Sequence, residues 1–371
     1  MAEYRHILVF RFSALGDVAM TVPVVKLLLQ QHPGLHLTFV SDPFMKPMFD
    51  GIERLEFVGA NTKKDYKGIS GLFRLSRELS RLHAFEAVAD LHNVLRTKIL
   101  RFFLTGIKKA AIDKGRAEKK ELTRPVNKKL RQLKTGFQRY ADVFAELGWQ
   151  VDLEADYANR PKPLPGLVPG VEHKNITGNA AATGAVNDRT AKKLVGIAPF
   201  ARHLPKMYPL DKMREVAVLL STRSNSQVIL FGSRSESEIL EGWSAPGIYS
   251  VAGKLSFTEE LNLISQLDLM ISMDSANMHL ASLYGVPVIS IWGGTHPFLG
   301  FYGWRQSMQN AIQLDLPCRP SSVFGNKPCP VHGEQGCMEG ITPEQITQHA
   351  ILLLFIKVFE DWAARDRTGV Q

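Results

Sequence analysis

The segment Asp274–Pro287 reads Asp-Ser-Ala-Asn-Met-His-Leu-Ala-Ser-Leu-Tyr-Gly-Val-Pro and lies between two apolar runs, Leu267–Met273 and Val286–Trp292. Both runs have the length and composition of buried parallel strands, which predicts a strand–helix–strand unit. The helix then begins at the carboxyl edge of a sheet, where open α/β sheets bind ligands. Its unpaired N–H groups favour a phosphate, and Asp274 or Ser275 can cap its first turn.

The same alternation of short apolar runs and helical patterns occurs in both halves of the chain and predicts a doubly wound α/β fold. After Gly303 the chain becomes irregular through Gly340. The remaining predicted strands are His6–Phe10, Leu35–Ser41, Ala87–Leu91, Leu194–Ala198 and Gln227–Phe231, and the clearest further helices are Asp17–Gln31, Asp211–Ser221, Phe257–Ser265 and Thr342–Ala364.

The chain is long enough for two domains. It has 371 residues and 45% hydrophobic content, which allows each domain its own buried core. A proline-rich stretch, Pro161–Pro169, and a stretch rich in Gly, Ala, Asn and Thr, Asn175–Asn187, mark a boundary. The predicted parts are an N-terminal domain at 1–165, a linker or exposed excursion at 166–192, a C-terminal domain at 193–345, and a C-terminal helix and tail at 346–371.

Positive charge is concentrated in one region. The net charge is +9, and Arg96–Arg139 holds 15 Lys or Arg against 3 Asp or Glu, which leaves 30 basic and 33 acidic residues elsewhere. Such a cluster predicts an anionic partner, either a phosphorylated glycolipid at a membrane surface or nucleic acid, unless it is only a solvated face. Few aromatic residues interleave with the basic ones and no nucleic-acid-binding module is recognisable, so nucleic acid is disfavoured.

The absence of long apolar segments predicts a cytoplasmic protein. No run of eighteen apolar residues occurs, and the N-terminus leads directly into a strand-like segment without a separate hydrophobic signal region. The three cysteines, Cys318, Cys329 and Cys337, all lie in one late segment. That arrangement does not suit a disulfide framework and fits a reducing compartment.

A glycine-containing turn follows the first predicted strand. It places Ser13, Gly16 and Asp17 at the carboxyl edge of the N-terminal sheet, which is a binding-site location. A lone Gly16 cannot form a dinucleotide fingerprint, which needs three glycines at set spacing, so a nicotinamide enzyme is disfavoured. Asp17 has two interpretations: a first-turn acid that interacts with the helix dipole, or a general base.

Two of these segments together resemble a known family. Ile7–Pro23 and Asp274–Pro287, with Lys206 between them and Gly293–Pro297 after them, resemble glycosyltransferase family 9, the ADP-heptose:lipopolysaccharide heptosyltransferases. The resemblance extends from about residue 5 to about residue 350, with Asn175–Asn187 outside it. It implies a GT-B fold, in which two Rossmann-like, doubly wound parallel-sheet domains face each other across a cleft and a C-terminal helix crosses back onto the N-terminal domain.

The resemblance also implies the donor site. Asp17 matches the family's catalytic base, Lys206 its phosphate-binding lysine, and Asp274 the aspartate that meets the donor sugar. Ala276 stands where glycine is more usual, which alters the approach of a phosphate to the backbone only slightly. The donor-binding residues implied in this way are Ser13, Gly16, Lys206, Gly232, Leu255, Asp274, Ser275, Ala276, His279 and Thr295.

On the acceptor side, Asp90–Thr97 resembles the family's acceptor segment and leads into the basic stretch. The basic side chains are then expected to hold an anionic lipopolysaccharide acceptor at the inner face of the cytoplasmic membrane. We therefore expect a monomeric protein that is cytoplasmic and peripheral to the inner membrane, and that does not bind nucleic acid. The acceptor-binding residues are His92, Asn93, Arg96, Lys98, Arg101, Lys119 and Lys120.

The predicted function is inverting transfer of a sugar, a heptose by resemblance, from a nucleotide-diphosphate donor to a lipopolysaccharide inner-core acceptor. No cofactor and no metal ion are expected, because Lys206 and a helix N-terminus supply positive charge for the departing diphosphate. Three alternatives stay open: a GT-B enzyme with a different nucleotide-sugar, a non-catalytic sugar-nucleotide or glycolipid binder, and a nucleic-acid-binding α/β protein.

The cysteine segment also has two interpretations. Relatives often carry four cysteines here, and Pro317–Ser321 resembles such a pattern with Ser321 in place of the second cysteine. The three cysteines are either free structural thiols or, with a fourth ligand such as His332, a zinc site.

Overall fold

A computed structural model of the chain describes residues 5–156 and 192–366. The described residues form two compact units: one comprises 5–121, 130–156 and 298–304, and the other 122–129, 192–297 and 305–366. The predicted linker at 166–192 lies outside the described residues except for Lys192, and so do Pro161–Pro169 and Asn175–Asn187. Over the described ranges, no helix has both the length and the apolar character that spanning a membrane requires.

The first unit is built on a parallel sheet of five strands in the order β3-β2-β1-β4-β5. The central strand β1 pairs on both sides, and its last residue, Phe10, lies opposite Val40 on one neighbour and Asp90 on the other. The carboxyl ends of these strands therefore meet at one edge. The strands are β1 (Arg5–Phe10), β2 (Leu35–Ser41), β3 (Leu55–Gly59), β4 (Ala87–Asp90) and β5 (Lys108–Ala111).

One helix was predicted in this part of the chain, and the structure divides it in two. The single helix expected at Asp17–Gln31 is interrupted at Met20 and restarts at Thr21. Pro23 has no N–H to donate to the carbonyl four residues earlier, and proline is tolerated in the first turn of a helix, so the second helix begins just before it. The helices are α1 (Leu15–Ala19), α2 (Thr21–Gln31), α3 (Gly68–Leu82), α4 (Leu95–Phe103), α5 (Arg116–Leu122) and α6 (Gly136–Leu147).

The second unit contains a parallel sheet of six strands in the order β11-β10-β9-β6-β7-β8. All five residues of β9 are buried, as expected for a strand covered on both faces. The structure confirms the four predicted strands of this half and adds two short edge strands. The strands are β6 (Lys193–Ala198), β7 (Ser226–Leu230), β8 (Ile248–Ser250), β9 (Leu269–Met273), β10 (Val288–Ile291) and β11 (Ala311–Ile312).

The C-terminal helix packs into the core of the second unit. Ile346, Ala350 and Leu354 lie in one buried cluster with Val216 and Leu220 of the helix that follows β6. The expected packing of this helix on the N-terminal domain stays a prediction. The helices of the second unit are α7 (Leu210–Arg223), α8 (Ser237–Glu241), α9 (Phe257–Ser265), α10 (Ala276–Leu283) and α11 (Pro343–Asp366).

The predicted domains were continuous in sequence, whereas the compact units are not. Residues 298–304 belong to the first unit because their backbone pairs with the segment before α6: the Leu133 N–H donates to the Phe298 carbonyl at 3.0 Å, and the Gly136 N–H to the Gly300 carbonyl at 2.8 Å. The ring of Trp304 packs on that of Phe137, with centroids 4.9 Å apart. The packing of a short segment on a unit that is distant in sequence leaves no periodic pattern, so the sequence did not predict it.

Candidate functional site

The first candidate group lies at the carboxyl edge of the N-terminal sheet. Arg11 follows β1 directly and its side chain is buried, and Asp17 lies in the first turn of α1 with its side chain 35% exposed. An Arg11 guanidinium nitrogen, Nη2, lies 2.7 Å from Asp17 Oδ2. We call Arg11, Asp17, Lys119 and Tyr140 the Asp17 cluster.

Contacts with Leu91 and Tyr140 fix the side chain of Arg11 in place. Its Nη1 donates to the Leu91 carbonyl at 2.7 Å, and its guanidinium carbon lies 5.8 Å from the centroid of the Tyr140 ring. The Tyr140 hydroxyl donates to the Asp17 carbonyl at 3.2 Å. Burial lowers the pKa of Arg11, but Tyr140 and Asp17 more than offset this, so the pKa is raised. The carboxylate of Asp17 thus faces a cation that stays charged.

Two lysines, Lys119 and Lys114, interact electrostatically with Asp17. Lys119 is buried, with its Nζ 4.1 Å from the centroid of the Phe301 ring. Burial and the neighbouring Arg139 lower the pKa of Lys119 to about 8, although Asp17 acts in the opposite direction. Burial and Arg11 also lower the pKa of Lys114. Lys119 therefore titrates close to physiological pH.

His92 lies beside this cluster as a buried, neutral imidazole. Its Nδ1 is 3.4 Å from the backbone N–H of Phe12, and its own backbone N–H donates to Asp90 Oδ1 at 3.0 Å. Burial, followed by the charges of Arg11 and Lys114, lowers the pKa of His92 to about 3. At neutral pH the ring can offer a hydrogen bond but not a positive charge.

Several of the other predicted acceptor residues have partners within the protein. Asn93 Nδ2 donates to the Ile112 carbonyl at 2.9 Å, and Arg96 Nη1 donates to Thr62 Oγ1 at 2.5 Å. Arg101 Nε lies 3.1 Å from Oδ2 of the buried Asp90. Lys98, Lys120 and Ser13 are exposed, and Gly16 is half-buried within α1. Their assignment to acceptor or donor stays a prediction.

The second candidate group lies at the carboxyl edge of the C-terminal sheet. Asp274 follows β9 directly and is buried, with 5% exposure. Its Oδ2 accepts a hydrogen bond from Thr295 Oγ1 at 2.8 Å and lies 2.9 Å from Lys206 Nζ. The structure thus brings together three predicted donor residues from three separate loops. We call Lys206, Asp274 and Thr295 the Asp274 cluster.

Lys206 is positioned by the loop that follows β6. It ends a short 3-10 turn, Leu204–Lys206, in which the Pro205 carbonyl accepts the N–H of Gly294 at 2.7 Å. Gly325 has a φ of +67°, and a Cβ there would overlap the methylenes of the Lys206 side chain. The stem of Lys206 is therefore packed against backbone, and its ammonium group is directed to Asp274.

The start of α10 adjoins Asp274. Ser275 is the N-cap residue and has extended backbone, but its side chain makes no capping hydrogen bond; its Oγ lies 3.1 Å from Ser272 Oγ instead. The first-turn N–H groups and the helix dipole thus suit an anion. Ala276 is the first helical residue, and His279 is buried one turn further along.

The remaining predicted donor residues lie in loops at the same edge of the sheet. Gly232 comes just after β7 with Phe231 between them, and its carbonyl accepts the N–H of Gly253 at 3.1 Å. Leu255 lies in the loop between β8 and α9. The roles of Gly232 and Leu255 stay predictions.

Sequence reasoning did not single out two arginines that organise these groups. Arg11 follows a strand directly, which was an available signal. Arg319 is buried, and it donates from Nε to the Gly293 carbonyl at 2.5 Å and from Nη2 to the Thr295 carbonyl at 2.9 Å. Burial lowers its pKa to about 10, so it remains cationic at neutral pH. It supports Gly293–Thr295, which we call the glycine loop.

The three cysteines also come together. They are free thiols, and their sulfur atoms and one ring nitrogen of His332 all lie within 4.8 Å of one another. We call Cys318, Cys329, His332 and Cys337 the cysteine cluster. Cysteine thiolates and histidine nitrogens are the ligands that structural zinc sites use.

Comparisons with known proteins agree with this architecture. The family model for glycosyltransferase family 9 (heptosyltransferase) matches residues 72–329. The lipopolysaccharide core heptosyltransferase OpsX of Haemophilus influenzae is 24% identical over 310 residues, which span 79% of this chain and 80% of that protein.

Two solved structures share the fold. A family 9 glycosyltransferase from Veillonella parvula superposes with a TM-score of 0.71 at 19% identity, covering 95% of this chain and 98% of the other. The Escherichia coli heptosyltransferase WaaC, solved with ADP-2-deoxy-2-fluoro heptose, gives a TM-score of 0.62 at 17% identity, covering 93% and 98%.

The protein is therefore a glycosyltransferase with two parallel-sheet α/β domains. The family match extends over well more than half of its length, and the chain belongs to glycosyltransferase family 9, the heptosyltransferase family. The predicted fold class, family and enzyme class are confirmed.

Proposed function

We propose that this chain transfers a heptose, with inversion, from an ADP-heptose-type donor to an anionic lipopolysaccharide inner-core acceptor. The observation that carries the proposal is the Lys206–Asp274 pair, which is 2.9 Å long and lies where α10 begins. Support for the donor comes from WaaC, which was solved with an ADP-heptose analogue, and support for the acceptor from the name of OpsX.

The Asp274 cluster supplies the groups that a nucleotide-sugar needs. Lys206 carries a point charge on a flexible stem and suits a diphosphate. The N–H groups at the start of α10 add to that charge. Asp274 and Thr295 present oxygens that suit sugar hydroxyls. On donor binding, Lys206 exchanges part of its contact with Asp274 for the diphosphate, which leaves the carboxylate to accept from the sugar.

The Asp17 cluster supplies the base. In the proposed step the acceptor hydroxyl oxygen attacks the anomeric carbon, the bond from that carbon to the diphosphate oxygen breaks, and the hydroxyl proton passes to Asp17. Negative charge grows on the departing diphosphate, where Lys206 and α10 stabilise it. Arg11 is a positioning residue, because it holds the Asp17 carboxylate at 2.7 Å and does not itself need to meet substrate.

The transfer step is proposed to need no metal ion at the diphosphate. Lys206 and the start of α10 already provide positive charge at that position. We expect turnover to persist in a short incubation with a chelator that removes free Mg²⁺ and Mn²⁺. Loss of turnover that added Mg²⁺ restores would contradict this.

We further propose that the protein works as a monomer peripheral to the membrane, with helices α3 and α4 facing the lipid. These two helices pack together and expose Ile69, Phe73, Leu95 and Phe102, which are 49–76% exposed. The exposed Lys98 lies between Leu95 and Phe102 in the sequence. Apolar side chains among basic ones are what an anionic membrane surface attracts.

Membrane binding can be tested by co-sedimentation with vesicles that contain anionic lipid. The double variant L95S/F102S should lose most of its binding, whereas Ile239→Ser, which changes an exposed apolar residue of the second unit, should not. Equal binding by the wild-type protein, L95S/F102S and Ile239→Ser would contradict the proposal that α3 and α4 face the lipid. Light scattering at several protein concentrations tests whether the protein is a monomer, because the molar mass of a monomer does not change with concentration.

The donor is tested with a panel of ADP-, GDP- and UDP-sugars. Thermal stabilisation should be largest with ADP-heptose, and turnover with an inner-core acceptor extract should follow the same order. A clear preference for another nucleotide would support the alternative of a different donor. Tight donor binding without turnover on any acceptor would support the non-catalytic alternative.

A further inference from the structure

The cysteine cluster approaches the dimensions of a tetrahedral metal site, because its four candidate ligand atoms lie within 4.8 Å of one another. A Zn–S bond of about 2.3 Å gives S···S edges of about 3.8 Å in a tetrahedron, and a Zn–N bond of about 2.0 Å gives S···N edges of about 3.5 Å. The sulfurs of Cys318 and Cys337 are 3.8 Å apart. The distances from His332 Nδ1 to the sulfurs of Cys318, Cys329 and Cys337 are 3.2, 3.8 and 3.9 Å.

The backbone around Cys329 forms a tight knuckle. The N–H of Cys329 donates to the Gly333 carbonyl at 2.8 Å, and the N–H of Gly333 donates back to the Cys329 carbonyl at 2.9 Å. Gly333 has a φ of +69°, which favours glycine. This paired turn holds Cys329 close to His332, whose Nδ1 lies 3.8 Å from the Cys329 sulfur.

The ligand spacing is consistent with this geometry. Two residues separate Cys329 from His332, four separate His332 from Cys337, and ten separate Cys318 from Cys329. Close-spaced ligands on a knuckle with others from further along the chain are typical of structural zinc sites. Ser321, near Cys318, is not part of the cluster, because its Oγ lies 3.2 Å from the Gly294 carbonyl.

The surrounding segment has little regular secondary structure. Between β11 and α11, residues 313–342 contain a single 3-10 turn, Gly336–Met338, in the described structure. The segment nevertheless holds the glycine loop: Arg319 binds two of its carbonyls, and the Ser321 N–H donates to the Gly294 carbonyl at 2.9 Å. A metal ion can fix irregular backbone that has too little apolar core to fix itself.

We propose that Cys318, Cys329, Cys337 and His332 bind one Zn²⁺ ion in a closed structural site that holds residues 313–342 against the glycine loop. Thiolate sulfurs with one imidazole nitrogen in a tetrahedral arrangement favour zinc over Mg²⁺, Ca²⁺ and Mn²⁺, which prefer oxygen ligands. With four protein ligands the site has no open position for substrate. The ion is structural and independent of the proposed transfer step, so each proposal can fail without the other.

The first test is the metal content of the untagged full-length protein, measured by mass spectrometry of the elements. We expect about one zinc per chain. Cys329→Ser and Cys337→Ser should lose it, His332→Cys should retain it, and the matched control Ser321→Ala should be unchanged. Protein without metal, or with iron instead of zinc, would overturn the proposal.

A second test needs no variant and so does not depend on a variant's folding. Titration of the wild-type thiols with a mercurial should release one zinc as the three cysteines react. Exchange into Co²⁺ should give the charge-transfer and d–d absorption of a tetrahedral thiolate site. Three freely reactive thiols without zinc release, or a Cys318–Cys337 disulfide in the peptide map, would contradict the site.

A third measurement tests the structural role. Zinc removal by a strong chelator under reducing conditions should lower the melting temperature by at least about 5 °C, and restoring zinc should reverse the change. An unchanged melting temperature after complete removal would overturn the claim that the ion holds this segment.

Discussion

Asp17 and Asp274 lie at equivalent edges of their two sheets but in opposite surroundings. Each forms a short ion pair, with Arg11 at 2.7 Å and with Lys206 at 2.9 Å. The Asp17 side chain is 35% exposed beside a buried arginine, whereas the Asp274 side chain is 6% exposed beside a lysine that is 17% exposed. In the first pair the cation is fixed and the carboxylate is accessible; in the second the carboxylate is fixed and the cation is more accessible.

The difference matches the two proposed roles. A base must reach a hydroxyl proton, so an accessible carboxylate held by a buried cation suits that task. A cation that binds a phosphate must be able to move towards it. A buried carboxylate beside that cation balances its charge until the donor binds. The following experiments test this comparison, first on the two pairs themselves and then on the cations around them.

The largest effect is expected for Asp17→Asn. Turnover should fall by about 10³-fold because the amide cannot accept the proton, while donor affinity should change little. The measurement is kcat by detection of released nucleoside diphosphate, with donor binding by calorimetry. Asp142→Asn is the matched control, since Asp142 is an exposed carboxylate 2.8 Å from Lys134 in the same unit. Full activity of Asp17→Asn would exclude Asp17 as the base.

The second effect is expected for Lys206→Met. Donor affinity should fall by roughly 10- to 100-fold, the value of a charged hydrogen bond, and the free energy of unfolding should fall by about 3 kcal/mol because Asp274 stays buried without its cation. The matched control is Lys193→Met, which breaks a 3.6 Å pair with Asp268 at the opposite edge of the same sheet. The control should lose stability but not donor affinity. Equal donor affinity in Lys206→Met and Lys193→Met would show that Lys206 does not bind the donor.

A smaller effect is expected from the titration of Lys119. Its pKa of about 8 means that the side chain is charged below pH 8 and neutral above it. The KM for an anionic acceptor should therefore rise by about fivefold, or 1 kcal/mol, as the pH increases from 7 to 9. Lys119→Arg keeps its charge throughout this range and should flatten the rise. The same pH profile in both proteins would show that Lys119 does not act on the acceptor.

The smallest effects belong to the exposed basic side chains. Each should contribute about 1 kcal/mol or less, and salt screens exposed charges more than buried ones. Raising the salt concentration should weaken acceptor or vesicle binding more than donor binding, because the Asp274 cluster is largely buried. Equal salt dependence for the two would remove the argument that the basic stretch holds the acceptor.

Much of the fold could be predicted from the sequence. The prediction for β2 matches the observed bounds, as does that for α9, and β9 and β10 lie inside their predicted apolar runs. The short edge strands could not be predicted: β5 reads Lys-Lys-Ala-Ala and β11 has only two residues. Such segments become strands because a neighbouring strand offers hydrogen bonds, and apolar periodicity does not record this.

The candidate site was only partly predictable. Lys206, Asp274 and Thr295 follow three strands of one parallel sheet, so their meeting at its edge follows from strand order. Arg96 and Arg101 were expected to face the acceptor, yet the structure gives them Thr62 and the buried Asp90 as partners. Charge composition indicates that a region is basic, but it cannot tell which cations are already paired.

The sequence by itself determined that Asp17 and Asp274 lie at the carboxyl edges of two sheets, because apolar runs and helix starts fix the order and ends of the elements. Only the tertiary structure decided which carboxylate is accessible. Tyr140, 123 residues away in the chain, covers Arg11 and bonds to Asp17, and Thr295 and Lys206 enclose Asp274. Exposure depends on which distant segments pack over a side chain, and local sequence carries no record of those contacts.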